Sequence, residues 1–184
     1  MGRLQRAESL LVIVDVQEKL LPVIHGADAI VRNLERLVRG FHLLDIPIVV
    51  TEQYTKGLGP TVPELASALR ETVGYTPVEK SCFSAYGCGE FLSAMRLARR
   101  KQLIVAGIET HVCVYQTVKD LLAADYDVTV VADAVSSRTT ENRDIAIHRM
   151  TADGAKLSST EMALFELLVK SGTDEFRAIA KLVR

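Results

Sequence analysis

QLIVAGIETHVCVYQT, residues 102–117, holds an apolar run, Leu103-Ile104-Val105-Ala106, then a glycine, and opens an apolar-periodic segment from Val112 to Leu122. That order predicts a strand, a sharp exit at Gly107 and a helix. Thr110 is placed to cap the helix, its hydroxyl accepting from a free backbone N–H, so Cys113 falls within the first turn. There the positive end of the helix dipole favours thiolate, the nucleophilic form of the side chain. Cys113 is the first candidate for chemistry.

Working outward, the same alternation recurs. Leu10–Val14 is apolar throughout and ends at Asp15, as expected for a strand buried on both faces with a carboxylate at its tip. Asp28 to Leu44 has helical spacing, Ile48–Val50 reads as a second strand, and Thr51 to Pro63 is a loop rich in Gly, Thr and Pro. Glu64 to Leu69 predicts a short helix. Thr76 to Glu79 predicts a third strand delivering Lys80, followed by a small-residue loop, Ser81 to Gly89, and a helix, Glu90 to Arg100. After the central unit come a strand at Val128–Ala132, a helix at Glu141–Ala152 and an edge strand at Lys156–Ser158. A capping box at Ser158-Ser159-Thr160-Glu161 precedes a helix at Met162–Val169, and Thr173–Val183 completes the set. Strands alternating with helices predict a parallel sheet covered on both faces, with ligands bound beyond the carboxyl ends of the strands. Asp15, Lys80 and Cys113 all fall on that rim.

Composition sets bounds. The 184 residues, 48% hydrophobic and 24% charged, predict one globular domain spanning 1–184. A formal net charge of −1 provides no positive field for nucleic acid or anionic lipid. Arg99-Arg100-Lys101 reads as the cationic end of a helix. Three cysteines, at 82, 88 and 113, include no C-x-x-C pair, which points away from structural zinc or a disulfide framework and toward a reducing, cytoplasmic setting. The first apolar run is only seven residues, Leu10 to Val16, interrupted by Asp15, so neither a secretory core nor a membrane span is expected.

A carboxylate beside a thiol can accept its proton, and an ammonium nearby steadies the thiolate by charge. Asp15, Lys80 and Cys113 would together form a cysteine nucleophile for an electrophilic carbon, although a helix-start Cys is alone more often a buried hydrophobe and a lone Lys usually lies in solvent. His111 lies two residues from Cys113, about 200° around a helix, so it reads as supporting rather than catalytic. Gln17 stands where a haloacid-dehalogenase phosphatase would need its second acid. G-x-G-x-x-G, Walker and G-x-S-x-G motifs are absent from the sequence.

These residues resemble the isochorismatase-like cysteine hydrolases, which include nicotinamidases and carbamoylsarcosine amidohydrolases. LLVIVDVQ at 10–17, EKSCFSA at 79–85, GIETHVCV at 107–114 and VVADAVSSR at 130–138 carry the resemblance along nearly the whole chain. It implies a three-layer α/β/α fold, mostly parallel and about six-stranded; a triad of Asp15, Lys80 and Cys113; a cis peptide before Glu109; and an oxyanion hole from the backbone N–H groups of Glu109 and Cys113. The Asp-x-His metal motif of nicotinamidases is missing at Thr51-Glu52-Gln53-Tyr54, so no metal and no other cofactor is expected. TEQYTKGLGPTVPEL at 51–65 is most similar to the isochorismatase-domain-containing subgroup. The expected substrate is a small molecule with an amide-type C–N bond, Gln17, Tyr54, Phe83 and Tyr86 are candidates to contact it, and a homo-oligomer, dimer or tetramer, is implied. Two other readings remain: a non-catalytic scaffold of the same fold, and a redox-sensing thiol with Cys82 or Cys88 as resolving cysteine.

Overall fold

In the computed structural model, which describes residues 2–184, the strands alternate with helices along the chain. The strands are β1 (Ser9–Val14), β2 (Ile48–Gln53), β3 (Val78–Lys80), β4 (Gln102–Ile108), β5 (Asp127–Ser136) and β6 (Lys156–Ser158). The helices are α1 (Ala27–Leu43), α2 (Thr55–Leu58), α3 (Pro63–Thr72), α4 (Gly89–Ala98), α5 (Tyr115–Ala123), α6 (Thr140–Ala152), α7 (Thr160–Leu168) and α8 (Asp174–Leu182). The six strands form one sheet in the order β3-β2-β1-β4-β5-β6, and every neighbouring pair is parallel. Crossover helices cover both faces, which is why β1 and β4 are buried at every position and their sequences are apolar without alternation.

The period of two nevertheless divides the interior. Leu11, Ile13, Ile104 and Ala106 face one side and pack with α1, α3, α7 and α8, whereas Leu10, Val12, Leu103 and Val105 face the other and pack with α4, α5 and α6. Phe41 centres the first cluster and Phe91 the second, both with no exposed surface. Each such side chain contributes roughly 1.5–3 kcal/mol relative to exposure.

Several boundaries differ from the sequence reading. Gly107 is not an exit turn: β4 runs through it to Ile108. The glycine sits opposite Val14 with φ +117, and a Cβ there would lie 2.2 Å from the Val14 carbonyl oxygen and 2.6 Å from the Val14 nitrogen. Its absence of a side chain is therefore what lets β1 and β4 close beside the candidate site. At the same level β4 shifts register against β5. β5 continues past Ala132 to Ser136 because exposed Asp133 breaks only the apolar pattern and not the strand; its Oδ1 accepts from the Thr160 N–H at 2.7 Å at the start of α7. The expected loop at 51–63 yields three residues to β2 and four to α2. Ser159 and Thr173 cap α7 and α8 by accepting from the N–H groups of Met162 and Phe176.

Candidate active site

In this strand order the chain departs in opposite directions from the carboxyl ends of β1 and β4, leaving a crevice between them. Asp15 follows β1 and turns the chain with φ 51, a left-handed conformation that Asp tolerates better than most side chains. Its N–H donates to the Thr51 carbonyl at 3.1 Å. Lys80 ends β3 and reaches the crevice past β2. Cys113 enters from the other side, on a π-wound turn at Thr110–Val114 that leads into α5.

Asp15 and Lys80 meet at 2.7 Å with both side chains fully buried. Asp15 Oδ2 accepts from Lys80 Nζ, and Asp15 Oδ1 accepts from Thr51 Oγ1 at 2.7 Å. Lys80 Nζ also donates to Gln53 Oε1 at 2.7 Å and to the carbonyls of Phe83 at 3.0 Å and Cys82 at 3.2 Å. An ammonium has three hydrogens, so these four acceptors leave none for a ligand. Lys80 influences the crevice through its charge rather than by touch.

Cys113 is 5% exposed and lies within range of both charges. Burial pushes its thiol up to about 12, with the Asp15 charge adding to the rise and the Lys80 charge opposing it. The helix-start argument, which favours a resting thiolate, is thus overridden: loss of solvation and the neighbouring carboxylate outweigh the dipole. Thr110 is also not the expected cap. The N-cap position belongs to Glu109, whose carbonyl accepts from the Val112 and Val114 N–H groups, while Thr110 Oγ1 is buried without a partner. The wider π turn moves the first bonds one residue back from the capping geometry.

The Ile108–Glu109 peptide is cis. Among the described residues no acceptor meets the Glu109 N–H, and this group lies beside the thiol turn. The Glu109 carboxylate is taken up by Arg138 Nε at 3.0 Å. His111 Nδ1 lies 3.0 Å from Ser137 Oγ, and its ring borders a 190 Å³ groove with Tyr115 and Arg149, away from the Asp15–Lys80 pair.

Two of the candidate substrate contacts are engaged within the fold. Gln17 has no exposed surface, and its amide is wholly committed to backbone: Nε2 donates to the Gln53 and Gly59 carbonyls and Oε1 accepts from the Gln53 N–H. Tyr86 turns its ring edge-on to Tyr126, 6.5 Å between centroids, and packs into the second core cluster. Tyr54 and Phe83 remain as rim aromatics, 58% and 53% exposed, and Lys80 ties both loops, since its carbonyl accepts from the Tyr54 N–H and its Nζ donates to the Phe83 carbonyl. Thr51 and Gln53 were missed because the apolar run ends at Val50. Polar residues two apart at the carboxyl end of a buried strand were the available signal.

Among the described residues no three His, Cys, Asp or Glu side chains cluster to hold a metal ion, and no helix is long and apolar enough to cross a membrane.

Comparison with known proteins matches residues 9–162 to the isochorismatase domain. The chain is 38% identical over 185 residues to a secreted isochorismatase effector, Isc1, of Phytophthora sojae, covering 100% of this chain and 88% of that protein. It is 38% identical over 182 residues to isochorismatase domain-containing protein 2 of Danio rerio, covering 99% and 90%. Among solved structures, MAR1 ribonuclease from Caenorhabditis elegans superposes with TM-score 0.91 at 36% identity over 99% of this chain and 92% of that one. YcaC from Pseudomonas aeruginosa, solved with hexane-2,5-diol and covalent acrylamide, gives 0.89 at 29% identity over 98% and 91%. Escherichia coli YcaC, an octameric hydrolase of unknown specificity, gives 0.87 at 26% identity over 100% and 88%.

Proposed function

This chain belongs to the isochorismatase family, and from that premise we propose that it is a cysteine-dependent hydrolase of small molecules with amide-type C–N bonds. One observation carries the reading: the buried Asp15–Lys80 pair at 2.7 Å, with Cys113 in its field. Asp15 takes the Cys113 proton as sulfur attacks the substrate carbonyl, so the thiolate forms only as the new C–S bond does. The backbone N–H groups of Glu109 and Cys113 hold the developing oxyanion. The tetrahedral species collapses with cleavage of the C–N bond, and the proton on Asp15 goes to the leaving nitrogen. Water then attacks the thioester, again giving its proton to Asp15, and the acid departs with the thiol restored. Throughout, Lys80 steadies whichever of Asp15 and Cys113 bears the negative charge.

The covalent acrylamide on Pseudomonas YcaC supports a reactive group in a related fold that meets an amide-bearing electrophile. The octameric relative supports self-association, and three free cysteines suit a reducing, cytoplasmic setting for residues 1–184 acting as one unit. The ribonuclease relative raises a different chemistry, but a net charge of −1 and a nearly closed thiol favour a small uncharged carbonyl over an RNA backbone.

The test is a panel of small primary amides assayed with wild type, Cys113→Ala and Asp15→Asn, with intact mass read during turnover. An acyl adduct on Cys113 in the wild type, and a loss of at least about a thousandfold in both variants, is the expected result. Turnover surviving in Cys113→Ala, or RNA cleavage in place of amide cleavage, would overturn it.

A further inference from the structure

Gln53 lies directly against the Asp15–Lys80 pair, yet its amide has no role in the proposed chemical steps. Its carbonyl oxygen accepts from Lys80 Nζ at 2.7 Å and its Nε2 donates to the Ser81 carbonyl at 2.8 Å. The arrangement admits one orientation only. A flipped amide would set an NH2 group against the ammonium and a carbonyl against a carbonyl. The backbone of Gln53 is held as firmly, because Gln17 closes a reciprocal pair around it, donating Nε2 to the Gln53 carbonyl at 3.0 Å and accepting the Gln53 N–H at 2.8 Å.

This clasp is anchored in turn. Gln17 bridges to Thr61, and the N–H and hydroxyl of Thr61 both donate to buried Glu52 Oε1 at 2.7 Å. The end of β1, the end of β2 and the loop before α3 thus converge on one amide. Four acceptors compete for the three hydrogens of Lys80, and two of the others are carbonyls of the 82–83 loop. Without the Gln53 oxygen, Asp15 and the two carbonyls of the 82–83 loop alone would set where the ammonium stands.

We propose that Gln53 is a positioning residue, which aims the Lys80 ammonium at Asp15 and Cys113 and is itself locked by the Gln17 clasp. Its purpose rests on the thiol-nucleophile reading above, but its test does not. The charges acting on Cys113 are those of Asp15 and Lys80, so the ionisation of the thiol reports where Lys80 stands. Glu109, at the N-cap of that turn, is paired with Arg138, which follows β5, and His111 on the turn lies 3.0 Å from Ser137 Oγ.

The experiment compares wild type with Gln53→Met, which keeps the volume but has no acceptor, and Gln53→Asn, which stays polar but falls a methylene short of Lys80. Cys113 alkylation by acrylamide is followed against pH by peptide mass, and the ultraviolet thiolate absorbance is read as the difference from Cys113→Ser. Withdrawing a unit charge from about 4 Å to about 6 Å at an effective dielectric near 20 lowers thiolate formation about tenfold. Both neutral variants are expected to show an alkylation rate about 3- to 4-fold lower at pH near 8, because the more basic thiolate is also the better nucleophile, with the profile displaced to higher pH. A residue that merely braces the loop would lower the melting temperature and leave the profile in place. Profiles within twofold of wild type in the folded variants overturn the proposal, and Gln53→Asn decides if Gln53→Met does not fold. Failure of the wild type to hydrolyse any amide would sink the hydrolase reading alone, because alkylation needs no substrate.

Discussion

Raising the pH of the resting protein should expose how strongly the fold holds Cys113 protonated. Its thiol is pushed from an ordinary value of 9.0 up to about 12 by burial and by Asp15, against the pull of Lys80. At pH 8 that leaves roughly one molecule in ten thousand as thiolate, about a thousandfold fewer than an ordinary thiol. The greater nucleophilicity of a more basic thiolate recovers part of this, with a Brønsted slope near 0.45, so Cys113 should react with iodoacetamide about 40-fold more slowly than a model thiol. The sign for stability follows from proton binding. The native state holds the thiol proton more tightly than the unfolded state does, so this contribution is fully present below pH 9 and is lost as pH rises from about 9 to about 12, by at most about 4 kcal/mol. Peptide-resolved alkylation against pH, and urea unfolding of wild type and Cys113→Ser between about pH 8 and about pH 10.5, measure the two effects. The alkaline loss should be smaller in Cys113→Ser. Alkylation of Cys113 with a midpoint at or below the ordinary thiol range would refute the reasoning, since it would show that the dipole and Lys80 outweigh burial.

Asp15→Asn should produce a crossed result: hydrolysis falls by about a thousandfold or more while alkylation of Cys113 at a given pH rises, because the base is gone and so is the charge that opposed the thiolate. Parallel amide turnover and alkylation assays check it, and a fall in both would deny Asp15 its electrostatic role. Lys80→Met leaves Asp15 buried without its cation and should cost about 3–5 kcal/mol in denaturant unfolding. Gly107→Ala sets a Cβ against the Val14 backbone, which cannot yield as a side chain would, so a loss of about 3 kcal/mol or more is expected. Thr110→Val replaces a buried hydroxyl that has no partner, and the melting temperature should hold or rise.

Much of this architecture could be read from residues in line. The unbroken apolar runs at Leu10–Val14 and Leu103–Ala106 announced doubly covered parallel strands, and the polar groups at their tips announced the rim. Resting ionisation was not legible, because it depends on how much water the fold removes from Cys113, and a sequence does not display solvent. The helix dipole was a local signal that a tertiary effect reversed. Gln17 looked available for substrate for a related reason: nothing in its neighbours Val16 and Glu18 shows that Gln53 and Gly59, far along the chain, will claim its amide. Thr51 and Gln53 became visible only once β2 was known to extend beyond Val50, where pairing with β1 and β3 rather than apolarity carries the strand.

The division of the interior into two clusters has a practical side. Cys113 belongs to the cluster that packs α4, α5 and α6, whereas the cluster under α1, α3, α7 and α8 includes no member of the Asp15, Lys80 and Cys113 set. Engineering for heat resistance can therefore begin on that first cluster, away from the Gln17–Thr61 bridge and leaving Gly40 as it is, since an added Cβ there would lie 2.3 Å from Leu164 Cδ2. Changes in specificity belong to the other face and its rim, so the two programmes can be run on one molecule and combined late with little mutual interference.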